Sequence, residues 1–88
     1  MGQAYIPASV VEKQYIGSTN VSSPYLMLVI DGIAYANGLR INYGGGYRNF
    51  FASFDANTGA IYVVCHTIAF GEDLPVYTLG SVEVIVIG

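Results

Sequence analysis

Apolar and polar positions alternate with a period of two along much of this chain, and pieces rich in Gly, Asn and Asp interrupt the alternation at short intervals. That pattern predicts strands joined by tight turns. Tyr25 to Ile30 is an unbroken apolar run, which predicts a strand covered on both faces. Asp31-Gly32 lies between apolar runs and predicts a two-residue hairpin turn into a short strand over residues 33–36. Asn37-Gly38 predicts a second hairpin turn into a strand over residues 39–43, where Leu39, Ile41 and Tyr43 alternate with Arg40 and Asn42. Three glycines break that strand, and residues 47–54 resume it. Arg48, Phe50, Ala52 and Phe54 fall on one face, with Tyr47, Asn49, Phe51 and Ser53 on the other. Asp55-Ala56-Asn57-Thr58-Gly59 predicts a hairpin loop held by its own Asp and Asn side chains. Residues 60–70 form the longest predicted strand, apolar on both faces, and residues 71–75 form a turn. Two pieces, 76–79 and 81–87, close the chain with Gly80 between them as a bulge or turn.

Helical patterning is weak. Its best window, residues 9–15, also reads as a strand. Residues 1–24 carry Pro7, Pro24 and a loop signal at Ser18-Thr19-Asn20, so they read as an extended N-terminal arm with one short strand over 10–16. Residues 25–88 read as the domain proper. The expected fold is all-β: a small antiparallel β-sandwich or barrel with that arm extending from it.

Composition changes the picture. Of 88 residues, 53% are hydrophobic and 10% charged, against about 25% charged in an ordinary domain. A domain this small buries only about 60% of the surface its unfolded chain exposes. The excess apolar surface therefore points to burial against copies of the same chain or against a partner. In the last strand Val82, Val84, Ile85, Val86 and Ile87 are interrupted by a single charge, Glu83, which marks those five residues as an oligomer interface. Three cations and a net charge of −3 cannot furnish the basic footprint that nucleic acid requires. No apolar run approaches the length of a membrane helix, so no membrane insertion is expected, and no leader of the secretory kind opens the sequence.

Candidate chemistry is sparse. Cys65 and His66 are adjacent, so a strand sends them to opposite faces. Cys65 reads as a small buried hydrophobe, and His66 as a hydrogen-bonded or interface residue. One Cys and one His fall short of a structural zinc site, and no cofactor is implied. Glu72 and Asp73 read as solvated turn acids. The richest segment is Tyr43-Gly44-Gly45-Gly46-Tyr47-Arg48-Asn49. Its glycines let the backbone approach a ligand, Tyr43 and Tyr47 supply flat amphipathic faces, and Arg48 and Asn49 supply hydrogen bonds. This set suits a carbohydrate or protein ligand.

The Asp31-Gly32 and Asn37-Gly38 turns, the hairpin at 55–59, the low charge and the apolar last strand together resemble small β-rich bacteriophage virion proteins, such as tail, fibre-tip and capsid-associated subunits. The resemblance implies a non-enzymatic structural protein located in a virion or in host cytoplasm. Its expected partners are copies of itself and other assembly proteins. The alternative expectation is a small module that binds carbohydrate or protein through residues 43–49.

Overall fold

The computed structural model describes residues 10–70, 74, 75, 77 and 79–88, with seven strands and no helix among them. The strands are β1 (Val10–Ser18), β2 (Tyr25–Ile30), β3 (Ile33–Tyr35), β4 (Leu39–Tyr43), β5 (Gly46–Phe54), β6 (Ala60–Ala69) and β7 (Val82–Ile87). They form two antiparallel sheets, one of four strands in the order β1-β6-β5-β4 and one of three in the order β3-β2-β7. The all-β class holds. Expectations for residues 1–9 and for Glu72 and Asp73 lie outside the described residues. The strand expected over 76–79 falls partly outside them, and its described members Tyr77 and Leu79 join neither sheet.

The expected arm is partly sheet. Its residues 10–18 are β1, which pairs along β6 from Val10 opposite Thr67 to Ser18 opposite Ala60, with a bulge between Tyr15 and Gly17. β1 therefore belongs to the same sheet as β5 and β6 rather than standing apart from it.

The period-two pattern sets what each sheet buries. Leu28 and Ile30 of β2 meet Phe50 of β5 and Val63 of β6 in one core cluster. Ile16, Tyr35, Leu39, Ile41, Cys65, Val82 and Val84 pack around it. Leu28 is 1% exposed. Burying a leucine so completely contributes about 2 kcal/mol before any packing gain. The expectation that β2 is covered on both faces holds only for its second half: Leu28, Val29 and Ile30 are buried, while Tyr25 is 69% exposed. β7 departs further from its expected burial. Val82, Val84 and Val86 are half-buried and alternate with exposed Glu83, Ile85 and Ile87.

Turn chemistry holds the sheets in register. Asp31 and Gly32 have φ of 51° and 81°, as a turn between β2 and β3 with positive φ at both central residues requires. The Asp31 backbone N–H donates to the Ser81 carbonyl at 2.8 Å, and the Ser81 N–H donates to Asp31 Oδ1 at 2.9 Å. One aspartate thus closes a hairpin and pins the start of β7 beside it. At 55–59 the loop is the expected hairpin: the Asn57 N–H donates to Asp55 Oδ1 at 2.9 Å, and the Gly59 N–H to the Asp55 carbonyl at 2.8 Å.

A turn forms one residue earlier than expected and makes no hairpin: the Gly38 N–H donates to the Tyr35 carbonyl at 3.4 Å, so Ala36 and Asn37 are its central residues and only Gly38 takes positive φ. β3 and β4 belong to different sheets, so this turn carries the chain from one sheet to the other. Gly38 has φ of 81°, and a Cβ there would collide with the carbonyl oxygen of Phe50. The corner therefore sits directly against β5, where only glycine fits.

Candidate functional site

Residues 43–49 form the tip and first residues of the β4–β5 hairpin. Tyr43 pairs with Gly46, so only Gly44 and Gly45 lie in the turn. Strand pairing then continues through Asn42 opposite Tyr47, Ile41 opposite Arg48 and Arg40 opposite Asn49. This is a ribbon paired to its tip rather than an open loop. The pleat divides the four residues that the sequence grouped together. Tyr43 and Arg48 share the inward face with Ile41 and Phe50, while Tyr47 and Asn49 share the outward face with Arg40 and Asn42. The four therefore do not share one face of the hairpin.

The outward half is a compact cluster. The Arg40 guanidinium lies 4.1 Å from the centre of the Tyr47 ring, and its Nε donates to Asn49 Oδ1 at 2.9 Å. Phe70 meets Tyr47 edge-on with centroids 6.3 Å apart and is itself 69% exposed. A planar cation on a tyrosine face, with an exposed phenyl beside it, offers both stacking and hydrogen-bonding groups. Arg40 and Phe70 lie outside the segment 43–49 that the sequence marks. The signal for Arg40 was present, since it shares parity with Asn42 in β4. Phe70 reaches the cluster because its N–H bonds the Gly45 carbonyl at 2.7 Å, a tertiary contact with no sequence signature.

Arg48, from the inward half, lines a cleft between the sheets. Its volume is about 780 Å³, and Glu12, Gln14, Arg48, Cys65, Tyr77 and Val82 are among its walls. The Arg48 guanidinium lies 5.2 Å from the Tyr43 ring centre. Arg48 Nη1 and Tyr43 Oη are buried without a hydrogen-bond partner among the described residues. Cys65 is half-buried, with Sγ 3.6 Å from Thr67 Oγ1. In the ladder Cys65 stands opposite Phe50 and His66 opposite Asn49, so thiol and imidazole face away from each other. Among the described residues no three His, Cys, Asp or Glu side chains gather as a metal would require, and no helix is long and apolar enough to cross a membrane.

The five residues expected at an oligomer interface are also divided. Val82 and Val84 pack onto the core of their own chain, and Val86 shares their parity. Ile85 and Ile87, 46% and 51% exposed, face outward with Tyr25. Neither the sequence, compared with protein-family models and curated proteins, nor the structure, compared with solved structures, finds a match.

Proposed function

We propose that this chain is a non-enzymatic structural protein that assembles with copies of itself into a symmetric homo-oligomer, as a component of a bacteriophage virion or tail. The observation that carries the reading is the outer face of the three-stranded sheet. Tyr25, Ile85 and Ile87 stand exposed on it in adjoining positions, with Glu83 as its one charge. Contiguous apolar surface on a small domain marks an interaction site. Removing it from water contributes about 25 cal/mol per Å², repeated at every identical contact of a symmetric assembly. Light scattering on a sizing column, across a dilution series, tests this. The expected result is a discrete mass that is a multiple of the chain mass and survives dilution; a monomer at every concentration would refute it.

A second reading has its own observation. The cluster of Tyr47, Arg40, Asn49 and Phe70 supports a module that binds carbohydrate or protein through the outward half of the β4–β5 hairpin. Titration with a panel of neutral oligosaccharides, followed by amide chemical shifts, tests the carbohydrate form. Shifts confined to Tyr47, Asn49 and Phe70, and abolished by Tyr47→Ala, would favour it over the first reading.

A further inference from the structure

We propose that β7 pairs antiparallel with β7 of a second copy, across a twofold axis at Ile85, to join two three-stranded sheets into one of six strands. This rests on the self-assembly reading above and adds to it an edge contact, which sets the exposed outer faces of two copies side by side in one sheet.

The inference comes from comparing the four sheet edges. A free edge offers unpaired N–H and C=O groups to any other strand, and proteins protect such edges with charge, proline, bulges or short length. β3 has three residues. β4 carries Arg40 and Asn42. β1 carries Glu12, Lys13 and Gln14, and a bulge interrupts its pairing before Gly17. β7 has six residues, Val-Glu-Val-Ile-Val-Ile, with no proline, no cation and an unbroken register to β2. Among the described residues β7 pairs with β2 alone, which leaves its second edge open.

Geometry, charge and ladder length then select the register, since an axis at Val86 would pair only residues 85–87 of the strand while one at Ile85 pairs residues 83–87. To keep both core faces on the same side, inward residues must meet inward residues, which allows an axis only at a residue position. An axis at Glu83 would put two carboxylates directly opposite each other, a destabilising pair. An axis at Val84 leaves them about 8 Å apart, within the reach of unscreened repulsion. An axis at Ile85 separates them by about 14 Å, beyond the screening length at physiological salt. That register pairs Ile85 with Ile85, Val84 with Val86 and Glu83 with Ile87 across the axis. β-branched residues then meet on both faces.

Ile85 is exposed in the single chain, so Ile85→Lys alters the contact and leaves the core alone. With the axis at this residue, two lysines stand face to face, and the molar mass by light scattering is expected to fall about twofold. A second variant does not depend on lysine being tolerated. Ile85→Cys in a Cys65→Ala background places two thiols at paired positions, whose Cα separation of about 4.5–5.5 Å suits a disulfide. Mild oxidation is expected to give a covalent dimer, while Tyr25→Cys in the same background, exposed but far from the axis, gives little. If the wild type is a monomer at all concentrations, the assembly reading itself fails. If the wild type is an oligomer, but Ile85→Lys keeps its mass or Ile85→Cys cross-links no better than Tyr25→Cys, the β7 contact is overturned and assembly must run through another surface.

Discussion

The two sheets share one core but treat their outer faces differently. On the four-stranded sheet, cations shield aromatic rings: Lys13 Nζ stands 4.6 Å from the Tyr62 ring centre, and Arg40 covers Tyr47. Tyr62 also meets Tyr15 edge-on at 6.0 Å. The third cation, Arg48, covers Tyr43 on the inner face of that same sheet. All three cations of the chain are therefore spent on tyrosines of one sheet. The three-stranded sheet has none, and its outer face shows Tyr25, Ile85 and Ile87 uncovered. Tyr15, Phe51 and Phe70 are exposed on the four-stranded sheet too, so the contrast lies in placement: one outer face sets cations beside its aromatic rings, and the other leaves its isoleucines without any.

Substitutions can break this contrast, or sharpen it. The largest effect is expected where the sheets meet. Leu28→Ala removes the most enclosed side chain of the core and should cost about 3 kcal/mol in chemical denaturation, unfolding both sheets together. Gly38→Ala strikes the corner that passes the chain between sheets. A Cβ at positive φ, pressed on the Phe50 carbonyl, should cost about 2 kcal/mol by the same measurement. Asp31→Ala acts on the three-stranded sheet alone. It removes the carboxylate that holds the Ser81 N–H and should cost about 1 kcal/mol. Amide exchange should quicken in β7 before it does in β5 or β6.

Smaller effects probe the faces themselves. Arg40→Ala uncovers Tyr47 and should cost about 0.5 kcal/mol, with increased binding of an apolar dye, so that the four-stranded sheet comes to resemble its neighbour. Ile87→Thr does the reverse on the three-stranded sheet. Stability of the single chain should change by less than about 0.5 kcal/mol, while the dilution at which the assembly dissociates shifts to higher protein concentration.

Much of the fold is legible in the residues. The alternation in β4 and β5 correctly separates Leu39 and Phe50 from Arg40 and Asn49. Asp31-Gly32 and the hairpin at 55–59 are read correctly because their signals are local: an Asp-Gly pair adopts positive φ, and an Asp side chain caps its own loop, whatever lies nearby. Residues 43–49 are neighbours in sequence but are divided between two faces in space. A two-residue turn keeps the strands paired to the tip, so the pleat sends Tyr47 and Arg48 apart.

Sequence alone determined the all-β class, most strand positions, the tight turns and the shortage of charge, because each follows from side-chain parity, local φ preference or composition. Tertiary structure decided the rest. It split β3 and β4 between sheets across a turn that reads as a hairpin, drew β1 alongside β6, and brought Phe70 to Tyr47 and Ser81 to Asp31. It also divided β7 into a core-facing half and an exposed half. Those outcomes depend on which apolar faces meet and which backbone groups remain to be paired. Burial is non-directional, so an apolar run declares that it must be covered without saying by what.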